Sequence, residues 1–285
     1  MSVSKLKGFR SAGLPCIMFL CSGEVMADFT LDMMQGVTAI SEEIYSLHMK
    51  ALWMVTAIGL IVFSIMIGTL IHHRKLKGGM PVKFHHSARL EIIWASIPIL
   101  ILVASAFPAT KALIALEQTA DAEMTIKITA YQQRWHYEYM DEDFGVFSVL
   151  PEDSSMVRQK NANADLSAVN NYLLDVDHPM VIPVNTKVRL LTTVNDVIHS
   201  WWVPDLVWKH DAIPGFINDN WTLVTREGTY RGQCAELCGR DHAYLPIVLK
   251  VVSAGEYRQW AEEMKLVQQQ AAEGADRVWE SRLQR

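Results

Sequence analysis

The feature that most constrains this chain is a pair of long apolar runs without charge, separated by a short basic loop. Ala51 to Ile71 spans 21 residues and holds no charged side chain. At 1.5 Å per helical residue that length crosses about 30 Å of hydrocarbon. Lys50 stands before it and His72-His73-Arg74-Lys75-Leu76-Lys77 follows. The second run, Ile92 to Thr110, is also uncharged. It contains Pro98 and Pro108, which a spanning helix tolerates where neighbours re-satisfy the backbone. Residues 72–89 between the runs carry Arg74, Lys75, Lys77, Lys83 and Arg89 and no acid, so the positive-inside rule puts this loop in the cytoplasm. The expectation is a transmembrane hairpin with helices over 51–71 and 90–116 and both chain ends outside.

Residues 1–27 agree with that orientation. Lys5, Lys7 and Arg10 precede a short apolar run from Leu14 to Cys21, and Val25-Met26-Ala27 offers small residues for cleavage after Ala27. This reads as a signal peptide, with 28–50 as an external segment. A lipoprotein signal ending on Cys21 fits less well, because Met18-Phe19-Leu20 is bulky before the cysteine. After cleavage, Cys234 and Cys238 are the two cysteines left of four. Half of the 285 residues are hydrophobic and a fifth are charged, which excludes a disordered chain and a disulfide-dense scaffold. A net charge of −5 argues against a nucleic-acid binder built on phosphate contacts.

Everything from residue 121 to 254 reads as one exported β domain, followed by a helical tail over 255–285. Thr125–Ala130 alternates, Lys187–Val194 is rich in β-branched residues, and Pro246–Val252 is a third strand candidate. Proline and glycine punctuate these runs, as short strands of a sandwich or barrel require. Residues 151–171 look like a polar surface excursion, and helical character in the tail runs from Glu256 to Glu273 before fraying. Residues 121–285 carry 24 acids against 16 bases, a net −8. Such a face either steers a basic partner or simply keeps the domain soluble.

The chemistry concentrates in Gln233-Cys234-Ala235-Glu236-Leu237-Cys238-Gly239-Arg240-Asp241-His242, where two thiols and an imidazole are spaced Cys-x3-Cys-x3-His. His199, in Asp196-Val197-Ile198-His199-Ser200-Trp201-Trp202, is a further candidate ligand. Soft thiolates with imidazoles suit copper or zinc. Two thiolates on one loop can bridge two copper ions, each with one histidine outside. A disulfide in an oxidising compartment and a structural zinc with His199 as fourth ligand satisfy the same spacing.

Taken together, the two spans, the basic loop, Asp211-Ala212-Ile213-Pro214-Gly215, the His-Ser-Trp segment and the cysteine loop resemble subunit II of a bacterial haem–copper cytochrome c oxidase. The resemblance covers nearly everything after the signal. It implies a transmembrane hairpin followed by an all-β, cupredoxin-like Greek-key barrel that holds the binuclear CuA copper centre. It also implies a place in the bacterial inner membrane with the copper domain periplasmic. Cytochrome c or another periplasmic donor would supply electrons, which pass to haem in subunit I for reduction of oxygen to water; subunit III and the lipid bilayer complete the partners. Cys234 and Cys238 would bridge the coppers, and His199 and His242 would each bind one. Glu236 would give its carbonyl to copper and its carboxylate to magnesium or manganese at the subunit I boundary. Glu91, which position alone reads as a snorkelling or Arg89-paired side chain, falls at the mouth of a proton channel. Asp196, Glu138, Asp141, Glu142 and Asp143 fall where the family presents acids to cytochrome c.

Two departures touch electron uptake. Leu245 stands where the family has a weak axial methionine, and Gln133 stands where it has the tryptophan that receives the electron. Trp135 keeps the second aromatic of that stretch, and Trp208 is a candidate substitute whose bland alternative is a packed loop residue. Two rival readings are a structural subunit with a non-functional copper site and a membrane-anchored copper-binding protein.

Overall fold

The computed structural model describes residues 33–74, 86–159, 169–207 and 209–283. The signal expected over 1–27, the middle of the basic loop and Trp208 lie outside the described residues.

Helix α1 (Ala39–His72) begins well before the apolar run at Ala51. Its start is set by a capping box: the Thr38 hydroxyl accepts from Ser41 N, and Ser41 Oγ accepts from Thr38 N. Thr38 also forms a β-bridge with Val224, and Val37 N donates to Asp205 O at 2.9 Å. The helix therefore starts inside the β domain. Its 34 residues run about 51 Å, against roughly 30 Å of hydrocarbon. Helix α2 (Ala88–Leu116) carries Pro98 and Pro108 within it. Its last turn returns to the domain, where Trp221 Nε1 donates to Ala115 O at 3.0 Å. Both helices are long and apolar enough to cross a membrane, and none of the most apolar stretch of either is buried within the chain.

Among the described residues the β domain contains ten strands. The larger sheet joins β1 (Met124–Tyr131), β2 (Arg134–Tyr139), β3 (Phe144–Val149), β5 (Lys187–Val194) and β8 (Asn218–Leu223) in the order β3-β2-β1-β5-β8. The β1–β5 pair is parallel and the others antiparallel. A second sheet joins β4 (Met180–Pro183), β10 (Pro246–Val252) and β9 (Gly228–Gln233) in the order β4-β10-β9, with β4 and β10 parallel. Strands β6 (His199–Trp202) and β7 (Lys209–Ala212) form a separate antiparallel ribbon. This mixed-sheet domain is consistent with a cupredoxin-like fold.

No closed barrel forms among the described residues, which corrects the expectation of one: hydrogen bonding of the large sheet stops at β3 and β8. The free edge of β3 is covered instead by α4 (Ala254–Leu283), where Gln268 Oε1 accepts from Gly145 N at 3.1 Å. Ser253 and Glu256 cap this helix reciprocally, and it continues to Leu283 rather than fraying after Glu273. The polar excursion at 151–171 contains a short helix, α3 (Glu152–Gln159).

The core follows the period-two pattern of the strands. Ile126, Ile128 and Ala130 on β1 and Trp135, Tyr137 and Tyr139 on β2 all point inward and are buried. Val188 and Leu190 on β5 meet Ile182, Ile247 and Leu249 from the other sheet in the same cluster. Tyr139 ties the two sheets by polar contact as well. Its hydroxyl donates to Val181 O and accepts from Val181 N, each at 2.9 Å, on the otherwise unpaired side of β4. Tyr139→Phe is expected to leave both Val181 groups unsatisfied and to cost about 2 kcal/mol, measurable by denaturant unfolding.

Candidate metal centre

The cysteine loop connects two neighbouring antiparallel strands, β9 and β10, so its ends are fixed by their pairing. Cys234 N donates to Leu245 O at 3.0 Å, closing the loop on itself. Ala235 N donates to Ser200 O at 3.0 Å, which stitches the loop to β6. On β6, Trp201 is fully buried and anchors the strand, so His199 is held inward with no exposed surface. Gly232, at the end of β9, lies directly against β6: a Cβ there would meet Trp202 O at 1.9 Å.

These attachments bring four donor groups into a row. Cys234 Sγ lies 3.8 Å from His199 Nδ1 and 3.9 Å from Cys238 Sγ, and Cys238 Sγ lies 3.4 Å from His242 Nδ1. The Glu236 carbonyl faces Cys234 Sγ at 3.3 Å. The ligand atoms of His199, Cys234 and Cys238 all fall within 4.8 Å of one another, and all three residues are buried. Bonds of about 2.0–2.3 Å to a tetrahedral ion place two ligand atoms roughly 3.3–3.8 Å apart, so these spacings are close to those of metal ligation. They do not suit a disulfide, whose sulfurs stand about 2.05 Å apart, and both cysteines are free thiols.

Electrostatics and hydrogen bonds hold the row in place. Asp196 Oδ1 lies 2.9 Å from His199 Nε2, leaving Nδ1 to face the sulfur. Asp196 also accepts from Gln132 N at 2.6 Å and Val197 N at 2.7 Å. Partial burial works against the Asp196 carboxylate, but these amides and His199 hold its pKa below the usual range. Burial lowers the His199 pKa, yet Cys234 and Asp196 together bring it above that of a free histidine. Burial and the neighbouring Cys234 push the Cys238 thiol up. Burial alone would raise Cys234 too, but His199 and the surrounding backbone groups bring it down, so Cys234 ionises first. Asp196→Asn is expected to weaken metal affinity by about 10- to 100-fold, read by competition with a chelator, through loss of the charge that orients His199.

The remaining expected site residues fall elsewhere. Trp135 is fully buried, its ring centroid 6.1 Å from that of His199 in an edge-to-face arrangement, so it is a packing neighbour of the centre and offers a partner no surface. Asp196 is occupied by His199 and backbone amides, as described. Glu138 is paired with Lys127 at 3.0 Å, Asp141 accepts from Thr125 N at 2.6 Å, and Glu142 is paired with Lys265. This acidic group sits at the far end of β2, roughly 13 Å along the strand from the Arg134 end beside the metal loop. Glu91 is in the first turn of α2, with His86 Nε2 at 3.4 Å from its carboxylate. The Glu236 carboxylate lies 3.8 Å from Lys209 Nζ, which also binds Asp211 at 2.7 Å. Leu245 is buried and brings no donor atom to the loop.

Sequence reasoning missed Gln132 and Asp241. Gln132 Nε2 reaches the Cys238 carbonyl at 3.5 Å, and Gln133 Nε2 donates to Asp241 Oδ2 at 2.5 Å. The β1–β2 hairpin tip therefore clasps the metal loop. The two-residue tip turns through Gln133, whose φ is 71°.

Comparison with known proteins decides the family. Residues 124–252 match the family described as cytochrome C oxidase subunit II, periplasmic domain, and residues 27–112 match its transmembrane domain. The probable cytochrome c oxidase subunit 2 of Rickettsia prowazekii is 44% identical over 221 residues, 78% of this chain and 68% of that protein. The corresponding protein of Rickettsia bellii is 38% identical over 248 residues, 87% of this chain and 89% of that one. This chain belongs to the cytochrome c oxidase subunit II family. The solved periplasmic domain of subunit II of cytochrome oxidase (CoxB) of Bradyrhizobium japonicum is 38% identical, covering 52% of this chain and 97% of that one, with a TM-score of 0.44.

As a subunit II, the chain is the electron-receiving subunit of a haem–copper oxidase and is not catalytic alone. Its two apolar helices and periplasmic-type β domain give the inner-membrane topology of bacterial subunit II. Its buried His/Cys cluster is a copper-binding site.

Proposed function

We propose that this subunit II carries a binuclear copper centre, with Cys234 and Cys238 as shared thiolates and His199 and His242 as the outer ligand of one copper each. The observation that carries this reading is the symmetric row of donors, imidazole–thiol–thiol–imidazole, at 3.8, 3.9 and 3.4 Å. When bound, the copper pair would take up and release one electron at a time. The chain supplies the frame: Asp196 orients His199, the Ala235–Ser200 bond fixes the loop to β6, and Trp135 and Leu245 keep the inner side dry. Leu245 leaves the site with thiolate, imidazole and the Glu236 carbonyl as its donors. Loss of a weak thioether changes the potential more than the ability to hold copper.

The donor is cytochrome c or a similar periplasmic protein, drawn by the net −8 of residues 121–285, and the electrons pass to haem in subunit I. Subunit III completes the complex. Glu91 would sit at a proton-channel mouth facing subunit I. Magnesium or manganese at the Glu236 carboxylate would be an interface ion. This chain offers that site one carboxylate, already near Lys209, and a hard cation needs several more oxygen ligands.

The test is the full chain in detergent, thiols reduced, loaded with copper. Two coppers per chain with a mixed-valence, delocalised EPR signal are expected. A single metal per chain, or zinc held in preference to copper, overturns the binuclear reading.

A further inference from the structure

Strand β8 is built inside out. Trp221 and Leu223 alternate along it with Asn218, Asn220 and Thr222, and the polar set faces the core. Asn220 and Thr222 are buried, whereas Trp221 points the other way and bonds to Ala115 of α2. A half-buried strand ordinarily turns its apolar residues inward, so a polar face in the core calls for a physical reason. The neighbouring strand adds a third group. The register pairs Thr192 with Asn218, Leu190 with Asn220 and Val188 with Thr222, so these six residues share one face. Thr192 is buried as well. Thr192 Oγ1, Asn220 Nδ2 and Thr222 Oγ1 have no hydrogen-bond partner among the described residues. Native interiors pair such groups, because an unpaired buried donor or hydroxyl keeps its full desolvation cost. The three do not reach one another. Asn220 and Thr222 stand two residues apart on one strand, about 6.8 Å, and Thr192 is the diagonal neighbour of Asn220 at about 7–8 Å. Leu190 and Val188 beside them carry no polar side-chain atom.

We infer that the β5–β8 seam is a binding site for two ordered water molecules, one between Thr192 and Asn220 and one between Asn220 and Thr222. A water with bonds of about 2.8 Å on each side spans roughly 5.5 Å, the gap these short side chains leave. The Asn220 amide carries two hydrogens, one for each water, and each threonine hydroxyl can accept from the water beside it. Waters held in this way by buried polar groups are part of a fold and costly to remove. Asn218 extends the row, since its Nδ2 donates to Asp211 O on β7, and β7 pairs with β6. The polar row thus runs from the strand that grips α2 toward the ribbon that carries His199. It needs no metal, so it stands or falls apart from the copper reading.

The experiment is a density map of the assembled oxidase at a resolution that shows ordered water, for the wild type and for Thr192→Val. Two peaks within hydrogen-bond distance of the three named atoms are expected, and the one beside Thr192 should vanish in the variant. A wild-type map with no peak at either position, or one in which the three side chains bond to protein groups instead, overturns the site. Thermal unfolding of the full chain in detergent gives a second reading. Valine keeps the shape of threonine and removes the hydroxyl. Removing a hydroxyl that is bonded to water should lower the midpoint by about 2–4 °C in Thr192→Val and in Thr222→Val, whereas removing a dry, unpaired hydroxyl should raise it. A raised midpoint in both variants overturns the site.

Discussion

Cys234→Ser is expected to reduce cytochrome c oxidation by the assembled oxidase more than a hundredfold. Cys234 is the centre of the donor row: its sulfur faces His199, Cys238 and the Glu236 carbonyl, all within 4 Å. Changing a group that only supports a metal ligand costs about 10- to 100-fold in affinity or activity, so removing the proposed shared ligand should cost more. Serine keeps the size but offers a hard hydroxyl in place of a soft thiolate. The fold should survive, since Cys234 N–H and its bond to Leu245 O are untouched. Copper per chain and the delocalised EPR signal should fall with turnover, while haem content stays normal. Full turnover with full copper would show that Cys234 is not a ligand.

The second large effect is on architecture. Gly232→Ala is expected to destabilise the β domain by about 3 kcal/mol or more. The added methyl would meet the Trp202 carbonyl at 1.9 Å, the Trp202 carbonyl carbon at 2.8 Å and Val203 Cα at 2.9 Å. All three are backbone atoms, so no side chain can swing aside. Strand β6 must move off β9, and β6 carries His199 while the end of β9 leads into Cys234. The variant should therefore lose metal affinity together with roughly 10 °C of thermal midpoint. Gly215→Ala, where a Cβ meets nothing within 4 Å but φ is +79°, separates crowding from backbone strain and should cost only about 1 kcal/mol. Equal losses in the two variants would refute the contact argument.

How much of this was legible beforehand depended on whether a feature is local. Strand β5 occupies the β-branched run Lys187–Val194 and β10 occupies Pro246–Val252, because alternating or continuous apolar runs state their own burial. The four-residue β6 carries no such signal; it exists because Trp201 is buried and β7 pairs with it. The start of α1 was missed because hydropathy reports where lipid begins, whereas the helix begins at a capping box welded to Val224. At the site, the spacing of Cys234, Cys238 and His242 was readable from one loop. The hairpin-tip glutamines come from a segment more than 100 residues away, and nothing in their immediate sequence announces that contact. Acids in the Glu138 stretch read as free surface charge, but Lys127 and Lys265 pair with two of them through strand and helix packing.

The way α1 leaves the β domain has a mechanical consequence. A helix that starts at Thr38 with no intervening loop, a second helix whose last turn accepts from Trp221, and a 34-residue shaft longer than the hydrocarbon is thick together make a strut. Among the described residues, each helix is hydrogen-bonded to the copper domain where it joins it. Its altitude above the lipid is set by counting helical turns, so inserting or deleting one turn at the domain end of both helices would lift or drop the whole domain by about 5.4 Å. Electron transfer over fixed distances needs such a ruler, and here the ruler is the membrane anchor itself.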